Sequence, residues 1–278
     1  MVRTGGRGRL RAALFVGIGL GMTGFALIAY GANVFRQLEL DTVDTRFAVR
    51  GTQEPPPELV VVQIDDVTFD ELDQRWPFPR TIHARVVDRL REDGARGIFF
   101  DVQFTEPSER EEEDIALIEA VERARGKVAL ATTETNEDGG SNIFGGEETL
   151  RDIGARSGNA LLPEDSGGII RRVAYAVDGL EAFSLVGAEI VTGREIDPSE
   201  LGGGEDGAWI DYHGPPGTIR AISYSQVSER KTDAGFFRDR IVIVGPSAPS
   251  LQDVHPTSTS GDDLMSGAEI QANALSTA

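Results

Sequence analysis

Apolar residues along this 278-residue chain follow three different rhythms, and each predicts a different kind of element. The first is an unbroken run of 24 uncharged residues, Ala12 to Phe35. As a helix rising ~1.5 Å per residue it would be ~36 Å long, enough to cross a hydrocarbon core of ~30 Å with some tilt. The second consists of short runs rich in β-branched and aromatic residues: Leu59–Ile64, Gly97–Phe100, Lys127–Thr132 and Arg240–Val244. Runs apolar at successive positions predict strands buried on both faces. The third is helical spacing. Ile82, Val86 and Leu90, with Val87 beside them, form a stripe in a helix opened by Pro79-Arg80 and closed by a left-handed cap at Gly94. Ile115, Ile118 and Val121 predict a second stripe in Glu112–Arg125, with acids early and arginines late as the helix dipole favours. Phe183–Val191 predicts a third, shorter helix. Alternation of these strands and helices predicts an α/β fold, a mainly parallel sheet flanked by helices, preceded by one transmembrane helix.

The remaining segments are read as connections and edges. Glu39–Gly51 is polar and leads from the apolar run into the domain, and Pro55-Pro56-Pro57 is extended. Acidic, glycine-rich stretches at about 133–150 and 195–207 predict loops, the first of them mobile. Ile169–Val177, edged by Arg171 and Arg172, reads as a strand, and Trp209–Tyr212 and Ile219–Tyr224 flank a turn at His213–Gly217. The expected organisation is a cytoplasmic N-terminus at 1–11, a membrane helix at 12–35 and one extracytoplasmic domain at 36–278.

Charge sets the orientation. Arg3, Arg7, Arg9 and Arg11 precede the apolar run with no acid among them, which predicts an N-terminus held inside and a domain held outside. A cleaved signal peptide is the alternative, with Ala29-Tyr30-Gly31 a rough cleavage match; either reading exports the domain. Gly17 and Gly21 form a GxxxG, a spacing that lets two anchors pack closely, and a homodimer is expected. From Glu39, the first acid, onward the chain has 22 of its 27 basic residues and all 46 acidic ones, a net charge of −24. Such a body repels nucleic acid and anionic lipid. The chain has no cysteine, so an exported domain must be held by packing rather than disulfides, and thiol catalysis and cysteine zinc sites are excluded.

Candidate chemistry gathers where the first two strands end. Asp65 and Asp66 follow Leu59–Ile64, and Asp101 follows Gly97–Phe100. Ligands of parallel sheets bind at that edge, so Asp65, Asp66, Trp76, Arg80 and Asp101 form the candidate ligand-binding surface. Asp65 and Asp101 could hold a divalent cation, or they could cap the following helix and pair with Arg80 or Arg85. Arg80 is expected to pair with Asp65 or Asp101. Trp76 could stack on a ligand or plug the core. His83, His213 and His255 show no metal-ligand spacing, and no GxSxG, HExxH or phosphate-binding glycine loop is present. No catalytic residue, metal site or cofactor is therefore expected. The rival is an exported metal-assisted hydrolase working through Asp65 and Asp101.

Several segments in order resemble the second class of CHASE domains, the cyclase- and histidine-kinase-associated sensory extracellular domains of bacterial receptors. They are Asp44–Phe47, Val60–Asp65, Trp76-Pro-Phe-Pro-Arg80, Ile98–Phe104 with Glu106, Ile210–Gly214, Ile222–Tyr224, Ile241–Gly245 and Gly267–Asn273. The chain departs from the family pattern at Gln271, where histidine is usual, and at Asp253-Val-His-Pro256, where Thr-Pro usually follows the aspartate. The resemblance implies a sensor of an unknown small-molecule or environmental stimulus. It also implies further membrane helices downstream and a cytoplasmic adenylate or guanylate cyclase or a protein kinase, so this chain is expected to be part of a longer receptor.

Overall fold

The computed structural model describes residues 5–31, 34–202 and 207–278, and divides into two units, 1–49 and 50–278. The N-terminal unit is helical: α1 spans Gly5–Gly31 and α2 spans Val34–Arg50. The polar lead expected at Glu39–Gly51 is thus, as far as Arg50, part of a regular helix, whose Leu40 is buried. The expected span 12–35 is described only in part. Residues 32 and 33, and the side chains of 12–13 and 27–37, lie outside the described residues. Among the described residues no helix is long and apolar enough to cross a membrane.

The second unit is a three-layer α/β domain. Its sheet is built from β1 (Leu59–Ile64), β2 (Gly97–Phe100), β3 (Val128–Thr132), β4 (Arg156–Asn159), β9 (Ala221–Ser223) and β10 (Ile241–Pro246), in the order β4-β3-β2-β10-β1-β9. All five pairings are parallel, with Leu59 opposite Ile241 and Ile98 opposite Val242 and Val128. The four apolar runs read from the sequence are four of these six strands, and β10, late in the chain, lies between β1 and β2. Short antiparallel ladders lie outside the sheet: β5 (Arg172–Val173) with β8 (Ala208–Trp209), β6 (Ala176–Val177) with β7 (Leu180–Glu181), and β11 (Val254–His255) with β12 (Met265–Ser266).

Alternation along the strands feeds two cores. Val60, Val62, Ile64, Ile98, Phe100, Val242 and Val244 point into one, covered by α4 (Arg80–Glu92), α5 (Glu111–Arg123), α6 (Glu147–Ile153) and α8 (Tyr224–Ser228). The opposite face is covered by α7 (Phe183–Thr192) and α9 (Gly267–Thr277). The α4 stripe is as expected, with Ile82, Val86, Val87 and Leu90 buried and Gly94 at φ +92° just past the helix. In α5 the stripe is rotated. Leu117, Ala120 and Val121 are buried, whereas Ile115 is 47 % exposed and Ile118 only half-buried. Packing against α4 selects the face with small Ala120, which lets the two helices approach.

Other readings are corrected by local contacts. The predicted strand Ile169–Val177 is broken into the pieces β5 and β6, and Arg171 and Arg172 are buried rather than at an edge. Arg172 lies over the Trp209 ring, 3.8 Å from its centroid. The stretch 133–150 is pinned, not loose: Ile143 is fully buried, and Glu147 accepts from the Ser141 amide and from the hydroxyls of Ser141 and Ser157 at 2.6–2.9 Å. The turn at His213–Gly217 is fastened to α9, whose Glu269 accepts from the Gly217 and Ile219 amides while Ser266 caps the helix by accepting from the Glu269 amide.

Candidate functional site

A single-residue step past each strand brings the chain to the carboxyl edge of the sheet, where a cavity of about 930 Å³ opens. Its walls come from four places. The loop before α4 and that helix's first residue give Trp76, Phe78 and Arg80; the segment after β2 gives Asp101 to Arg110; the ends of β3 and β4 give Thr132, Thr133 and Ala160; and the end of β10 and the chain after it give Pro246 and Asp253.

Of the five residues expected to form the site, three line this cavity and two do not. Asp65 is committed elsewhere. It is the N-cap of α3 (Asp66–Leu72), accepting from the Thr68 amide at 2.9 Å and hydroxyl at 2.7 Å, and its other oxygen accepts from the Ser223 hydroxyl at 2.5 Å. That is a capping role of the kind short polar side chains take before a helix. Asp66 is in the first turn of α3 and exposed. Asp101 therefore shares the cavity with neither of them, and the hydrolase rival loses its carboxylate pair. Among the described residues no group of three or more acids or histidines is placed to hold a metal.

Trp76 packs against the core and also faces the cavity. It is half-buried, lies edge-on to Phe78 at 5.3 Å between ring centroids, and still presents surface to the cavity. Behind it stands an aromatic cluster centred on His83, which is surrounded by Trp76, Phe78, Phe100, Phe104 and Tyr224. The His83 Nδ1 and the Tyr224 hydroxyl are 2.8 Å apart. Desolvation, with a smaller push from Arg80, lowers the imidazole to about 3, so it is neutral at physiological pH.

Arg80 pairs with neither Asp65 nor Asp101. Its guanidinium bonds to Asp114 at 2.6 Å and to the Glu106 carbonyl, and lies 5.5 Å from the Phe104 ring centroid. Its amide donates to Glu113 at 2.9 Å. The side chains of Arg80 and Asp114 are only 13 % and 17 % exposed. Removing one partner of a pair this sheltered strands the other. Arg80→Ala should therefore lower stability by about 2 kcal/mol in urea denaturation, and Arg80→Lys should recover only part, because an ammonium cannot make the forked contact. A loss under about 0.5 kcal/mol would show that solvent screens the pair.

The feature missed from sequence is Asp253. It follows β10 and a turn of chain, lines the cavity with Asp101, and its Oδ1 is 3.1 Å from His255 Nε2. A Cβ at Gly267 would lie 2.4 Å from both Asp253 carboxylate oxygens, so that carboxylate is seated against the first turn of α9, where the helix dipole favours negative charge. Gly245 serves Asp101 in the same way, since a Cβ there would lie 3.0 Å from the Asp101 Cβ. Burial, and then the charge of Asp253, hold the Asp101 carboxyl well above the usual carboxylate range. The two glycines were visible in the sequence, but their pairing with two aspartates 152 residues apart depends on β10 inserting beside β2. Gln271, where the family pattern departs, is buried, and its Nε2 holds the carbonyl of the cavity-lining Ala160 at 3.0 Å.

No curated protein and no solved structure matches the chain. The family model described as the CHASE2 domain matches residues 18–278, which takes in α9 and the whole sheet. Members of that family are extracellular sensory domains of signalling receptors and are not catalytic. With that match running through every strand that builds the cavity, the chain belongs to the CHASE2 domain family.

Proposed function

We propose that this chain is the sensory part of a membrane receptor, anchored through Ala12–Phe35, dimeric, and coupled to a cytoplasmic cyclase or protein kinase. The observation that carries the reading is the cavity at the carboxyl edge, where Trp76, Arg80 and Asp101 converge on space large enough for a small molecule. Asp65 and Asp66 act beside it, through α3. A stimulus bound there changes the output only by binding two conformations with different affinity; moving a population from 1:99 to 99:1 takes roughly 5.5 kcal/mol of difference.

Two features of α1 support the anchor and the dimer. Leu14, Phe15, Leu20, Met22 and Phe25 are 62–73 % exposed, an apolar surface suited to lipid. A Cβ built at Gly17 or Gly21, one turn apart on the same face, meets nothing within 4 Å, which leaves that face smooth for a second helix. The absence of cysteine makes the topology simple to test. Glu137, exposed on the acidic stretch after β3, can be replaced by cysteine as the sole thiol in the chain. Intact cells making Glu137→Cys should be labelled by a membrane-impermeant maleimide to the same extent as lysed cells. Labelling that appears only after lysis would place the domain inside and overturn the proposal.

A further inference from the structure

We infer that the cavity takes a small organic ammonium ion, its charge held by Asp101 and Asp253 and its apolar part lying against Trp76. This rests on the sensory reading of the same cavity and adds the chemistry of the ligand.

The argument starts from charge. The cavity is lined by six carboxylates and two arginines, and both arginines are already engaged. Arg80 is held by Asp114 and the Glu106 carbonyl, and Arg110 by Glu113. Among the described residues His83 is the one histidine lining the cavity, and its aromatic surroundings keep it neutral. Among the described residues Asp253 has one basic neighbour, His255, and Asp101 makes no ion pair. Two carboxylates brought together without an intervening cation oppose each other, and the fold nonetheless accommodates them by placing glycine at both 245 and 267. A bound cation removes that opposition, so the pair is arranged for a positively charged guest.

The kind of cation follows from the rest of the lining. A bare divalent ion requires six or more oxygen ligands, or water in their place, and no cluster of three acidic or histidine side chains is available among the described residues. An ammonium group needs only a few acceptors, which Asp101 and Asp253 supply. The adjoining wall is aromatic. Trp76 and Phe78 meet edge to face, and Phe104 stacks on Phe144 at 6.0 Å. Aromatic faces attract organic cations and cover apolar carbon equally well. A wholly hydrophilic cation would leave that wall unused.

Phenethylamine is a suitable probe, carrying one ammonium and one flat ring; phenethyl alcohol is its neutral counterpart and phenylacetate its anionic one. In calorimetric titration of the full chain at pH 7, phenethylamine should bind saturably at millimolar concentration or below, and at least tenfold more tightly than either counterpart. Asp101→Asn and Asp253→Asn should each weaken it at least tenfold, while Glu122→Gln, an exposed acid on α5 away from the cavity, should change it less than twofold. Circular dichroism on each variant separates lost binding from lost fold, and Trp76→Phe, which keeps the aromatic wall, should retain most of the affinity. Preferred binding of the alcohol or the acetate would overturn the ammonium assignment and leave the cavity a ligand site. Binding of calcium or magnesium that depends on Asp101, without amine binding, would overturn it in favour of a metal. Failure of all these probes would remove both the assignment and the reading of the cavity beneath it.

Discussion

Lowering the pH from 6.5 to 4 should cost the domain about 3 kcal/mol through His83 alone. The imidazole is lowered from 6.5 to about 3 by desolvation among aromatic rings. The unfolded chain therefore takes up a proton below pH 6.5 that the folded chain refuses, and the stability supplied by neutral His83 is fully present above 6.5 and lost as pH falls towards 3. The slope in that window is about 1.4 kcal/mol per pH unit. Asp101 works in the opposite direction: its folded carboxyl is raised, so it costs stability at neutral pH and the cost is relieved on acidification. The clean comparison is therefore Asp101→Asn against the double variant Asp101→Asn/His83→Gln, which keeps a polar partner for Tyr224. Urea midpoints of the first should fall faster between pH 6.5 and 4, with the difference approaching 3 kcal/mol. Parallel curves would mean that His83 titrates normally.

Gly158→Ala should be the most damaging conservative substitution in the sheet, lowering stability by about 3 kcal/mol. A Cβ at this position in β4 would stand 2.5 Å from the Phe183 Cα and 3.0 Å from its amide nitrogen. The obstacle is backbone, so no rotamer change relieves it; β4 and the first turn of α7 must separate. That turn is held to β4 by the Asn159–Ala182 bridge and by Arg156, which reaches Glu181 at 2.8 Å and Glu189 at 2.7 Å. The urea midpoint should fall with the slope unchanged. A loss under about 1 kcal/mol would show that the α7 junction yields more easily than its contacts suggest.

The central layers of the fold were legible because burial on both faces leaves a continuous apolar run, which is why β1, β2, β3 and β10 were placed to within a residue or two. The strand β4, Arg-Ser-Gly-Asn, carries no such signal. It is shaped by what packs on it, small residues being required beneath α7, and small polar residues read as loop. The short α8 and α6 were missed for a similar reason, since one or two turns of helix show no period. At the site, strand-end logic named Trp76, Arg80 and Asp101, which line the cavity, together with Asp65, whose contacts are instead with its own helix and with β9. The partners of Arg80 lie in Glu106 to Asp114, a segment that reads only as acidic. Asp253 carries no local signal of its chemistry, because nothing in the sequence around it announces that residue 253 meets residue 101.

The insertion of β10 between β1 and β2 has a consequence for biogenesis. A chain emerging from its N-terminal end exposes the apolar inner margins of two half-sheets, β9-β1 on one side and β2-β3-β4 on the other, until Ile241–Pro246 arrives to join them. Pairing across so many intervening residues is slow and leaves unpaired margins open to wrong partners. Assembly of the sheet is thus deferred until Ile241–Pro246 has been delivered, and a domain cut short before Arg240 would hold two separate ribbons in place of a platform.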